Sequence, residues 1–295
     1  MRRAPKMPPG LAVALLATLL LVAGCSKQRV VVSTMVPVID GALTEAFSSG
    51  DVATAREAIP SQILLIRGLC RADSDRVETW TIVTQLYAAF ALTFVEIDDP
   101  PRAARLYREG MELGLAFLKR IDWFAEAWRR GPDALRAEIA QRHPTDLAPI
   151  MMWSAACLGK HVLGNLDRPR EMADLPYAHV LADAAIRLDP GYFYGMPHAL
   201  KGVMHASTPL GLGGDLEAAA EQFALARQYA GEQFIFHDVL FARHYCVTAL
   251  DEACFVQTLE RVLATPPECC RQVRLINLVA QQHAHALLAE REALF

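Results

Sequence analysis

Read for the spacing of its apolar positions, the chain is a succession of helices. Alternation of β-branched with polar residues, the mark of half-buried strands, is nearly absent. Thr79 to Glu96, TWTIVTQLYAAFALTFVE, is apolar around most of its circumference, as a buried inner helix is. Then DDPPRAARLYREGMELG opens with Asp98 and Asp99, takes Pro100 and Pro101 into its first turn, and sets Ala103, Tyr107 and Gly110 on one face. Another helix is predicted from about Asp146 through Trp153 to Leu163. YAHVLADAAIRLDP carries Ala178, Ala182 and Ala185 on one stripe and stops before Pro190. LEAAAEQFALARQYAG repeats the device with Ala219, Phe223 and Ala226, and a last long helix runs from about Pro267 to Glu290.

The three stripes place small or aromatic residues at i, i+4 and i+7. That is the pattern of the second helix in a tetratricopeptide repeat, where small residues let paired helices approach closely. They begin at Ala103, Ala178 and Ala219, separations of 75 and 41 residues, not the regular repeat of about 34. The predicted fold is therefore all-α, an array of antiparallel helical hairpins with degenerate tetratricopeptide-like repeats. Between two of the stripes lies GYFYGMPHALKGVMHASTPLGLGGD, residues 191–215. It predicts a helix from Tyr192 to about Ala206, broken by Pro209, Gly211, Gly213 and Gly214, with Asp215 capping the next helix. Gly214 is expected to need a positive φ or a close backbone approach.

The N-terminus changes the picture of where this array resides. Arg2, Arg3 and Lys6 precede an apolar run, Leu11 to Ala23, of 13 residues. That is too short to span a bilayer and suits a signal peptide. It ends Val22-Ala23-Gly24-Cys25, which resembles a bacterial lipobox. Residues 1–24 are read as a lipoprotein signal peptide, 25–38 as a polar tether, and 39–295 as the helical domain. Cys25 is the expected lipidation site, and Ser26 after it points to the outer rather than the inner membrane. The expected location is the periplasm, anchored by N-terminal lipid. Losing 1–24 removes three positive charges and no negative ones, taking the net charge from −4 to −7. That balance argues against nucleic-acid binding.

Candidate chemistry adds little. GLGGDL is neither a dinucleotide fingerprint nor a P-loop, and HExxH and GxSxG are absent. His198 and His205 are seven residues apart, two helical turns, too far to share a metal. They read as helix histidines facing a groove. No catalytic residue, metal site or cofactor is expected beyond the lipid on Cys25. The six later cysteines read as mostly buried thiols, with one bridge open among Cys246, Cys254, Cys269 and Cys270.

Five ordered blocks carry a family resemblance: LYAAFALTFVEIDDPPRAARLYREGMELG, APIMMWSAACLGKHV, ADLPYAHVLADAAIRLDPGYFYGMPHALKGVMHA, LGLGGDLEAAAEQFALA and INLVAQQHAHALLAE. The chain resembles the T-component of tripartite ATP-independent periplasmic (TRAP) transporters, the TatT-type lipoproteins, from about Leu43 to Glu290. The resemblance implies a non-enzymatic homotrimer with a central pore. It also implies docking of a periplasmic solute-binding P-component and a hydrophobic or amphipathic ligand such as a fatty acid. Trp153, Tyr192, Tyr194, Gly195, Gly213, Gly214, Asp215 and Phe223 fall on recurring family positions. Gly195, Gly213, Gly214 and Asp215 are expected to be structural. Trp153, Tyr192, Tyr194, His198 and His205 are the candidates for a ligand or pore lining. The alternatives are an outer-membrane scaffold for envelope assembly, built on the same repeats, and an enzyme whose site leaves no sequence signature.

Overall fold

A computed structural model describes residue 29 and residues 31–295. The expected signal peptide and the lipidation site Cys25 lie outside the described residues. Among the described residues every regular element is helical and no strand occurs. Residues 31–48 form α1. There follow α2 (Val52–Ala72), α3 (Val77–Phe90), α4 (Pro100–Leu118), α5 (Asp122–Arg130), α6 (Pro132–Arg142) and α7 (Ala148–Leu163). A short α8 (Pro169–Met172) leads to α9 (Leu175–Leu188), α10 (Tyr192–Ser207), α11 (Leu216–Ala230) and α12 (Phe236–Leu240). The chain closes with α13 (Glu252–Ala264), α14 (Arg274–Ala289) and α15 (Arg291–Leu294).

The starts of these helices follow from local chemistry. Asp51, Asp99, Asp215 and Asp251 each accept a hydrogen bond from an otherwise unpaired backbone N–H of the first turn. Two boundaries differ from the sequence reading. The segment read as a tether is already helical from residue 31, because Val32, Val36, Ile39 and Leu43 recur at helical spacing and are buried. The last long helix starts at Arg274, not near Pro267. Two single turns, Pro267–Cys269 and Arg271–Val273, precede it, separated by the extended Cys270.

The core is built around α7, which packs against α3, α4, α9 and α10. Eleven of its sixteen residues are buried, as expected of a helix with no face left for water. The three small-residue stripes all face inward: Ala103, Tyr107 and Gly110, then Ala178, Ala182 and Ala185, then Ala219, Phe223 and Ala226 are buried. Close approach depends on them. A Cβ on Gly110 would lie 2.6 Å from the Cys157 Sγ, and one on Gly202 would lie 2.8 Å from the Phe223 ring. Neighbouring helices in sequence pack side by side (α2 on α3, α3 on α4, α9 on α10, α10 on α11), which is compatible with an array of hairpins. Cys246 and Cys254 form a disulfide, while Cys70, Cys157 and Cys270 are buried thiols and Cys269 is exposed. No helix among the described residues is long and apolar enough to cross a membrane.

The Gly-Gly-Asp turn works by proximity. Gly213 ends a short turn at φ +98°, and Asp215 caps α11 through the Ala218 N–H at 2.9 Å. A Cβ on Gly214 would fall 1.8 Å from the Thr208 carbonyl oxygen, a backbone atom that cannot swing away. Gly211, three residues earlier, has nothing within 4 Å of its Cβ position. Gly214→Ala is therefore expected to lower stability by about 2 kcal/mol or more, and Gly211→Ala by less than about 0.5 kcal/mol. Urea unfolding of the two variants checks this; equal midpoints would remove the close-approach argument.

Candidate functional site

Two helices change their winding, and the change assembles a charged cluster. After α3 the chain takes a π-helical turn, Ala91–Val95, closed by the Glu96 N–H on the Ala91 carbonyl at 2.8 Å. After α12 it takes another, Phe241–Cys246. One added residue rotates the downstream part of the helix by about 100° relative to regular winding, and such turns concentrate at functional sites. Glu96 is the first residue past the first π turn, and Arg243 lies within the second. The Glu96 Oε1 accepts from the Lys160 Nζ of α7 at 2.7 Å and faces the Arg243 Nη1 at 3.2 Å. Its Oε2 accepts from the Tyr107 hydroxyl of α4. In the first π turn the Thr93 carbonyl accepts from the His283 Nε2 of α14 at 2.9 Å.

Electrostatics show how tightly these groups are bound to one another. Burial by itself would raise the Glu96 carboxyl, but the charges of Lys160 and Arg243 outweigh it and bring the pKa down to about 2. Burial pulls the Lys160 ammonium below the usual lysine range, against the opposing pull of Glu96. Burial and the Glu96 charge push the Tyr107 phenol well above its ordinary value. His244, next along the second π turn, is held neutral by burial and then by Lys160 and Arg243. One carboxylate thus serves two cations, leaving an excess of positive charge.

That charge stands beside an apolar cavity of about 40 Å³, walled by Leu92, Trp153, Met196, Leu200, Val203 and Leu240. Tyr107 and Lys160 belong to its wall, and both also line a wider cleft of about 280 Å³ with Glu96, Ser207 and His244. Lys160 therefore sits at the junction between a dry interior and a polar mouth. Such an arrangement suits a molecule with an anionic head and an apolar body. Among the described residues no group of three or more His, Cys, Asp or Glu side chains is placed to hold a metal ion.

Of the residues singled out from sequence, only Trp153 reaches this cavity. Tyr192 stands behind it, its hydroxyl accepting from the Trp153 Nε1 at 3.1 Å. Tyr194 stacks on Phe234 at 5.2 Å between ring centres. The His198 Nδ1 lies 2.8 Å from the Gln222 Oε1, and its ring stacks on Tyr229. His205 faces His179 instead. The structure thus keeps Trp153 and Tyr192 together and sets Tyr194, His198 and His205 in other contacts. The segment that holds four of them does contribute, since Met196, Leu200 and Val203 of α10 line the cavity. Periodicity does not reveal Glu96, Tyr107, Lys160 and Arg243 as a unit. The available signal is a lone lysine near the end of an otherwise apolar helix.

The start of α10 also departs from expectation. Phe193, Tyr194 and Gly195 have φ of 44°, 59° and 78°, one turn of left-handed winding. This costs about 1–2 kcal/mol for each non-glycine residue. Gly195 suits it for a second reason, because a Cβ there would lie 2.7 Å from the Tyr229 Cβ. Phe193 holds the turn from one side, packing edge-on against Phe47, Trp153 and Phe234. His237 holds it from the other, its Nε2 donating to the Tyr194 carbonyl at 2.8 Å.

Comparison with known proteins places this architecture. The family model described as TRAP transporter T-component matches residues 48–295. A protein of Treponema pallidum (strain Nichols), described as uncharacterized, is 22% identical over 310 residues, covering 95% of this chain and 95% of its own.

The cluster makes unequal demands on its members. Glu96→Gln leaves the largely buried Lys160 beside the partly exposed Arg243 without an anion and is expected to cost about 2 kcal/mol or more. Lys160→Met removes a desolvated ammonium and leaves Glu96 with Arg243 and Tyr107, so it should change stability by less than about 1.5 kcal/mol. Chemical unfolding of both variants decides the point, and equal losses would show that Glu96 is not the hub.

Proposed function

This chain belongs to the TRAP transporter T-component family, and on that premise we propose that it carries an amphipathic ligand and docks a periplasmic solute-binding P-component. The observation that carries the ligand reading is the shared wall at Lys160, between the apolar cavity and the polar cleft. An anionic head group would rest in the cleft against Lys160, and the apolar body would enter beside Trp153. At about 40 Å³ the cavity holds only a few carbons, against roughly 300–1,000 Å³ for a site that encloses a whole ligand. A longer chain would enter as Met196 and Leu200 rotate aside, and an unbranched methionine is suited to that.

Docking of the P-component and assembly as a homotrimer rest on the family. Anchoring at the outer membrane rests on the lipobox ending at Cys25 and the Ser26 after it. A lipid on Cys25 would keep the helical domain on the periplasmic side without a spanning helix.

Two experiments test this reading. Protein purified in detergent should show a trimeric mass by light scattering, gain mass on adding a TRAP-type solute-binding protein from the same organism, and release an amphipathic anion to mass spectrometry. Leu200→Trp, which fills the cavity, should abolish the bound amphipath and leave the helical signal intact. A monomer that gains no mass and carries no amphipath would favour the envelope-scaffold alternative. For the anchor, Cys25→Ser should move the protein from the outer-membrane fraction to the soluble one; an unchanged distribution would rule out lipidation as the anchor.

A further inference from the structure

A second site lies outside the cavity and its charged mouth. It is a groove of about 550 Å³ between the end of α11, the segment 231–235, α12 and the end of α13. Its volume falls in the usual range for small-molecule sites. The buried Asp238 carboxylate at its back takes two guanidiniums. Arg227 donates from Nε at 2.9 Å and from Nη2 at 2.6 Å, both to Oδ1. Arg261 donates from Nη2 to Oδ1 at 3.1 Å and from Nε to Oδ2 at 3.3 Å. The Arg227 guanidinium also lies over the Phe241 ring, which fixes its plane. Each guanidinium has five N–H donors and spends two on Asp238, so the pair presents a set of fixed, unused donors to the groove.

His237 forms part of the groove wall: its Nε2 donates to the Tyr194 carbonyl at 2.8 Å, and its Nδ1 is sealed from solvent. The exposed carboxylate of Glu232 lines the groove and supplies its acceptor. Its segment is held in place by Asn277 of α14, which accepts from the Ile235 N–H at 3.2 Å and donates to the Gln233 carbonyl at 2.9 Å. The charges of Arg227, Glu232, Asp238 and Arg261 sum to zero, with donors at the two arginines and the acceptor at Glu232. A simple anion would satisfy the arginines and leave Glu232 without a cation.

We propose that this groove binds a free α-amino acid. The ligand's carboxylate bridges Arg227 and Arg261, its ammonium group is taken by Glu232, and its side chain lies along Ala264 and Pro266. This site is independent of the amphipath cavity, and its test does not depend on that reading.

The test is isothermal titration of the full chain, purified in detergent, with L-alanine, L-leucine and L-glutamate. Two further arms use 4-methylpentanoate, which is leucine without its amino group, and isopentylamine, which lacks the carboxylate. Saturable binding of at least one amino acid is expected, with each truncated analogue weaker by about tenfold or more. Arg261→Met leaves Asp238 paired with Arg227 and should weaken binding by a similar factor, while its thermal unfolding stays close to that of the parent. Glu232→Gln, at an exposed position, should weaken amino-acid binding and leave any binding of 4-methylpentanoate unchanged. No binding of any of the three amino acids overturns the proposal. So does binding that Arg261→Met leaves intact, and so does 4-methylpentanoate binding as tightly as leucine.

Discussion

A single buried carboxylate sets the terms for half the molecule. An ionised group removed from water is tolerated only with partners close at hand, and those of Glu96 come from three other elements. Lys160 arrives on α7, Tyr107 on α4, and Arg243 in the turn after α12. Satisfying it fixes where α4 and α7 sit relative to α3, and it draws the segment after α12 across the mouth of the cavity. The apolar core around α7 could be built from many combinations of leucine, methionine and alanine of similar volume. The charged cluster could not, because moving any partner by an ångström or two would strand a charge. Packing therefore supplies the bulk of the stability and the Glu96 cluster supplies the registration.

The same device occurs twice. Asp238 also gathers two cations, Arg227 from α11 and Arg261 from α13. The two clusters differ in where their cations face. Lys160 has little exposed surface and borders a dry cavity, whereas Arg227 and Arg261 are about half exposed on an open groove. A carboxylate with two cations thus serves in one place as a lock between helices and in the other as a way of holding two guanidiniums still while their outer edges remain free. His237 joins the second cluster to the left-handed turn at Phe193–Gly195, since the ring that borders the groove also holds the Tyr194 carbonyl.

Much of the fold is legible in the sequence because its signals are local. The Asp99 and Asp215 caps, the proline-led start of α4, the inward stripes and the crowded Gly214 are all settled by residues within a few positions of one another. The candidate site is less legible, and the reason is geometric. Reading a helix from periodicity assumes a constant 100° per residue, and each π turn breaks that phase at the place where the site is made. The left-handed turn is hidden in the same way: Phe193 and Tyr194 are poor residues for it by local preference, and they adopt it because Phe47, Phe234 and His237, all distant in sequence, hold it. Of the residues that the resemblance and the helix spacing single out, Tyr192 bonds the cavity residue Trp153, while Tyr194, His198 and His205 find partners elsewhere. The helix over 31–48 escapes notice for a simpler cause, since Pro37 and Gly41 read as breakers within it.

The hydrogen bond from His283 to the Thr93 carbonyl spans 190 residues of chain. It joins the first π turn to the last long helix, so the turn that places Glu96 is tied to a residue near the far end of the polypeptide. A chain emerging in order from a translocation channel would hold α3 and α4 together by local packing while the carbonyl of Thr93 waited on solvent. Closure of so long a loop is slow, and it comes last by necessity of synthesis. Loss of residues 281–295 alone would remove His283 along with the end of α14, and would leave the Thr93 carbonyl without this partner.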